Sequence, residues 1–194
     1  MQDSGFISFR CFMDELICSE FKLGRRLLGR LPHGKDLITS IENFCRASDI
    51  RTATFSVIGA VSSATIGVYD QKQYVYVTFT ENTTMEIVNC IGNVSLKDKT
   101  PVIQSHIVLA DEHGKIIGGH LFSETILFAG EIDLQEMTGK PLERVYDEKT
   151  GLMLWKLILL VWTRTCTVQQ LLWLFLTGCV SSVLLPGLVI SPIR

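Results

Sequence analysis

The chain has 194 residues, enough for one domain with a full-sized core, and its formal charge of −2 conceals a division along its length. Residues 1–155 carry 15 of the 18 lysines and arginines against all 20 acids, a net of −5, while residues 156–194 add Lys156, Arg164 and Arg194 and no acid. An acidic body excludes whole-surface attraction to nucleic acid, which rests on cations neutralising phosphates, and leaves only a local basic patch for that role.

The six cysteines are Cys11, Cys18, Cys45, Cys90, Cys166 and Cys179. They form no C-x-x-C pair and lie among apolar neighbours. That pattern predicts free thiols in a reducing cytoplasm rather than a disulfide framework or a cysteine zinc site.

Residues 1–20 are weakly patterned; Asp14 and Glu15 interrupt any apolar stretch, so no secretory signal is predicted. The text FKLGRRLLGRLPHGKD reads as a strand running into a Pro-Gly turn. It holds a basic cluster of Lys22, Arg25, Arg26, Arg30 and Lys35. In DLITSIENFCRASDI, residues Leu37, Ile38, Ile41, Phe44 and Cys45 recur every three or four positions, which predicts a helix with one apolar face. Asp36 stands where an N-cap belongs. ATFSVIGAVSSATIGVYD is rich in β-branched residues and is expected to break at Gly59 and Gly67. YVYVTFT (74–80) reads as a strand, and TMEIVNCIGNVS (84–95) as another that ends in a Gly-Asn turn. A hairpin over 101–129, a short acidic segment EIDLQEM and the stretch YDEKTGLMLW follow. Strands dominate, with one clear helix and room for a short second. The expected class is α+β with a central, mainly antiparallel sheet.

PVIQSHIVLADEHGKIIGGHL, residues 101–121, holds His106 and His120. Strand alternation puts Gln104, His106 and Val108 on one face and Ser105, Ile107 and Leu109 on the other. DEHGK suits a three-residue loop, a turn at Glu112-His113 with Gly114 in the left-handed conformation. Pairing Asp111 with Lys115 then sets His106 directly opposite His120, with Cβ atoms roughly 4.5–5.5 Å apart. Two facing imidazoles can share zinc or another divalent ion, with a third group from position 104 or elsewhere. They can equally be hydrogen-bonded polar residues on a wet strand. Gly118-Gly119 invites close approach of another backbone, as at a subunit interface or ligand site. His113 and His33 lie in turns and are expected in solvent.

Taken in order, LPHGKDLITSIENFC, SVIGAVSSATIGVYD, EIVNCIGNVS, the P-x-x-x-S-H segment with its D-x-x-G turn, GGHL and YDEKTGL resemble the plant and prokaryote conserved (PPC) domain. In plants this domain follows AT-hooks in nuclear proteins; in bacteria and archaea it often stands alone. The resemblance covers about residues 21–156 and implies a compact α+β fold assembled as a homotrimer. It also implies a metal site of three histidines, an H-x-H pair plus the histidine of GGHL. His106 and His120 match two of these positions, and Gln104 occupies the third. A neutral amide is a weak ligand beside imidazole, so binding at this site is expected to be weakened.

An AT-hook needs an R-G-R-P core, and the nearest text here, Gly29-Arg30-Leu31-Pro32, lacks the first Arg-Gly pair. Arg25, Arg26, Arg30 and Lys35 are the candidates for DNA contact; a solvated strand edge or ion pairing is the competing expectation. The expected function is a non-enzymatic, DNA-associated or regulatory oligomeric scaffold that also takes protein partners. The alternative is a metal-dependent enzyme or small-molecule binder on the same hairpin, with Glu124 as the nearest general base. Cys90 reads as a small core residue. No Walker spacing and no G-x-G-x-x-G occurs.

Residues 157–194 lie past the family pattern. LLWLFLTGCVSSVLLPGLVI (171–190) runs 20 residues without a charge, matching the ~20 needed to span a bilayer. It is a candidate membrane anchor, in competition with a non-native extension or an apolar element buried in an oligomer.

Overall fold

The computed structural model describes residues 18–156. Its elements are β1 (Lys22–Leu31), α1 (Leu37–Ala47), β2 (Ala53–Asp70), β3 (Val75–Glu81), β4 (Met85–Lys97), β5 (Thr100–Ala110), β6 (Ile116–Leu121), β7 (Ile126–Thr138), β8 (Arg144–Asp147) and β9 (Leu152–Trp155). α1 is the one helix among the described residues, so the expected short second helix is absent from them.

The helix starts where the sequence said. The Asp36 carboxylate accepts from the Thr39 amide at 2.8 Å and from the Thr125 amide at 3.1 Å. One side chain thereby caps the helix and ties it to the loop before β7. Leu37, Ile41 and Cys45, an i, i+4, i+8 stripe, are fully buried, and Ile38 packs beside them. Phe44, expected on the same face, is 44% exposed because the sheet covers the stripe but not the flank of the last turn.

Seven strands form one antiparallel sheet in the order β1-β7-β2-β4-β5-β6, with β3 paired to β2. β2 organises it. Its first half lies between β7 and β4, and its far end pairs with β3 and, at Ile66↔Leu121 and Gly67↔His120, with β6. This last pairing closes a circuit β2–β4–β5–β6 around the core. The bend comes at Gly59, whose φ of +142° coincides with a register shift against β4, and shifts against β7 follow from Ala60 to Ser63. A Cβ there would stand 2.2 Å from the Ala129 carbonyl oxygen. Gly59 therefore bends the strand through a bulge instead of ending it, and Gly67 leaves it unbroken; both differ from expectation.

Two further boundaries move. β4 runs straight through Gly92-Asn93 and turns at Asp98-Lys99, where both residues have positive φ, as a two-residue primed turn requires. EIDLQEM is part of β7, not a separate acidic segment. There Leu134 is buried and Ile132 packs against the core, while Glu131 and Asp133 point the other way.

β8 and β9 form their own two-stranded sheet. It docks on β4 through a bridge between Leu96 and Glu143 and a Leu96 amide bond to the Leu142 carbonyl at 2.8 Å. The extension 1–20 lies almost wholly, and the tail 157–194 with its candidate anchor 171–190 entirely, outside the described residues. Among the described residues no helix is long and apolar enough to cross a membrane.

Candidate metal and ligand site on the histidine hairpin

The β5–β6 loop has the expected construction. The Asp111 amide donates to the Lys115 carbonyl at 3.0 Å, and Gly114 takes a φ of +76°. The Asp111 carboxylate accepts from the amides of His113 and Lys115 at 2.9 and 2.8 Å. These bonds hold its carboxyl below the usual aspartate range. The register that follows pairs His106 with His120.

The two rings stand with centroids 5.3 Å apart at an interplanar angle of 76°. Imidazoles sharing one tetrahedral zinc at ~2.0–2.1 Å per nitrogen have centroids about 5 Å apart, so the separation fits a shared ion. His106 is exposed. His120 is half-buried among Tyr76 and Phe122, with ring centroids at 4.9 and 5.0 Å, and its Nδ1 is buried without a hydrogen-bond partner. Burial first, then the neighbouring His106 and Arg144, pushes His120 down to about 4. At neutral pH its ring is uncharged and keeps a lone pair.

Gln104 stands two residues along β5 from His106 and pairs across the ladder with Asn93 of β4. Its amide offers a donor pair and one weak acceptor. Among the described residues no three His, Cys, Asp or Glu side chains gather in a way that could hold a metal ion. Two imidazoles and an amide fall short of the three strong ligands of a resident zinc centre; the donor set suits a loosely held ion.

Glu124 is removed from the alternative reading. β6 ends at Leu121, and Glu124 lies beyond it in an exposed loop at φ +72°, so strand alternation does not carry it to the histidine face. Gly118-Gly119 does admit a close backbone, but the backbone is this chain's own. A Cβ on Gly119 would lie 2.6 Å from the Gly67 carbonyl oxygen, and one on Gly118 2.8 Å from that of Ile107. Cys90 is a buried core residue, its thiol pushed up to about 12 by burial. His113 is exposed, as expected, and His33, also exposed, donates through Nδ1 to the Phe128 carbonyl oxygen at 2.7 Å.

One residue at this corner was not singled out from the sequence. Arg144, the first residue of β8, is only 9% exposed. It donates through Nη1 to the Met153 carbonyl at 2.9 Å and through Nη2 to Asn93 Oδ1 at 2.7 Å, and its Nε is buried with no partner. Its guanidinium carbon lies 5.8 Å from the ring centroid of Trp155, its ladder partner. Burial holds its pKa below the usual arginine value. Alternation in RVYD could have shown Arg144 facing Trp155, but no spacing in the sequence ties it to Asn93 or His120.

The basic residues of β1 are placed differently. Arg25 forms a two-pronged ion pair with Glu136 at 2.6 and 2.9 Å and also donates to the Ser48 carbonyl. Arg26 does the same with Asp133 at 3.2 and 2.7 Å. Arg30 is exposed further along the strand, roughly 13 Å from Arg26 at 3.3 Å per residue, and Lys35 is exposed in the turn before α1. An open groove of about 500 Å³, lined by Leu28, Arg30, Ser56, Ile58, Glu131 and Asp133 among others, runs along this face.

Comparison with known proteins accounts for the arrangement. The family model of the Plants and Prokaryotes Conserved (PCC) domain matches residues 18–138. A Pyrococcus horikoshii plant- and prokaryote-conserved (PPC) protein is 38% identical over 74% of this chain and 99% of its own, with a TM-score of 0.69. A metal-containing protein from Archaeoglobus fulgidus is 42% identical over 73% of this chain and 98% of its own, with a TM-score of 0.68. A Ralstonia eutropha protein provisionally assigned to DNA binding is 26% identical over 68% of this chain and 90% of its own, with a TM-score of 0.60. No curated protein matches the chain. With the family's match running from the start of β1 to the end of β7, the chain belongs to the Plants and Prokaryotes Conserved domain family.

Proposed function

We propose that this chain is a homotrimeric, non-enzymatic scaffold that works beside DNA in a regulatory setting, through its own assembly and through protein partners. The observation that carries the reading is the exposed apolar surface on the sheet. On the face away from α1, Ile58, Ile91 and Val108 are exposed on the adjacent strands β2, β4 and β5, and Leu28 is exposed on β1, across β7 from β2. A run of large apolar side chains left to water marks a contact surface.

The neutralised arginines support the same reading. Arg25 and Arg26 are each committed to a carboxylate, which leaves Lys22, Arg30 and Lys35 as the unpaired cations of the original cluster among the described residues. The Ralstonia relative's assignment favours a DNA setting, and assembly supplies the link to it. His106 and His120 add a weak divalent-metal site, in line with the metal-containing Archaeoglobus relative. The alternative, a metal-dependent enzyme on the hairpin, loses its nearest base with Glu124 in the loop.

Sedimentation equilibrium of the purified full chain, in density-matched detergent to cover its apolar tail, tests the reading. The expected protein mass is three times 21.7 kDa. A monomer at micromolar concentration would remove the scaffold.

A further inference from the structure

The corner where β8 meets β4 and the histidine hairpin holds a charge with no counter-charge. Arg144 is nine-tenths buried, both of its hydrogen bonds go to neutral oxygens, and it makes no ion pair among the described residues. A buried cation normally has an acidic partner, because taking it out of water costs several kcal/mol that neutral acceptors offset only in part. The same corner holds a second orphan, His120 Nδ1. Two unpaired buried polar atoms in one place call for an explanation.

The neighbouring groups agree on what is missing. Asn93 fixes one end of the guanidinium, and its ladder partner Gln104, two positions from His106, adds amide N–H donors. Among the described residues no carboxylate bonds to them. Tyr76 and Phe122, packed on His120, give the corner an apolar side. His106 is exposed and so faces the approach.

From this we infer that Arg144, Gln104 and the His106–His120 pair form a subsite for a small organic carboxylate. The carboxylate meets the guanidinium, and a short apolar body lies against Tyr76 and Phe122. A planar guanidinium matches a carboxylate better than an ammonium does, and the aromatic side favours an organic acid over inorganic phosphate. The site does not depend on the scaffold reading, and it needs no metal.

Equilibrium dialysis of the full chain against radiolabelled propionate, at constant ionic strength, without and with a chelator, tests it. Saturable binding near one per chain is expected. Arg144→Lys, which keeps the charge and loses the planar fork, should weaken it at least tenfold, and Gln104→Leu, at a half-buried position, several-fold. Should Arg144→Lys not fold, the Gln104 variant and the unmodified chain still decide. Absence of saturable binding overturns the inference. So does binding that vanishes only when the chelator is added, or propionate displaced by phosphate as readily as by unlabelled propionate. Unchanged affinity in both variants places any site elsewhere.

Discussion

At position 104 an amide stands beside two imidazoles, and that difference sets what the corner can hold. Imidazole offers a strong lone pair to a metal, whereas an amide offers a weak oxygen and two N–H donors. Gln104→His should therefore raise metal bound per chain, measured by elemental analysis, from well below one to near one. Equal content in both proteins would show that the amide is no obstacle. The facing of His106 and His120 was legible in the sequence because a turn type and a two-residue period determine it locally. Arg144 was not. Its role comes from the docking of β8 on β4, a contact between residues far apart in the chain.

Among elements, β2 and β6 decide whether the histidine corner exists at all. β2 bends at Gly59, and its far end reaches β6 because Gly119 lets the two backbones close. Strand count and composition carry no sign of that circuit, and the glycines read equally well as breaks. In Gly119→Ala the new methyl would meet the Gly67 carbonyl at 2.6 Å. That variant should lose about 1–3 kcal/mol of stability in urea titration. A loss no larger than a surface substitution's would mean the β2–β6 pairing yields without cost. The same β2 explains the misplaced boundaries, since a strand of 18 residues lies outside the usual length range.

For the molecule as a whole, charge and apolar surface point to different partners. Residues 1–155 carry a net of −5, and the two most forward arginines of β1 are held by Glu136 and Asp133. Contact with phosphates has little to draw on there. In fluorescence anisotropy with duplex DNA, Arg25→Ala and Arg26→Ala should leave any affinity and its salt dependence nearly unchanged. A drop of about one in the log–log salt slope for either variant would show a real phosphate contact and oppose the assembly reading.

By itself the sequence determined the class, the helix with its Asp36 cap, the Asp111–Lys115 loop and the pairing of His106 with His120. These are local outcomes of period, capping and turn chemistry. Only the tertiary structure decided that β2 closes on β6, that Glu124 stands away from the histidines, that Arg25 and Arg26 are neutralised, and that Arg144 is buried against Asn93. Each of these depends on contacts between distant parts of the chain, and no spacing along it encodes where two remote strands will meet.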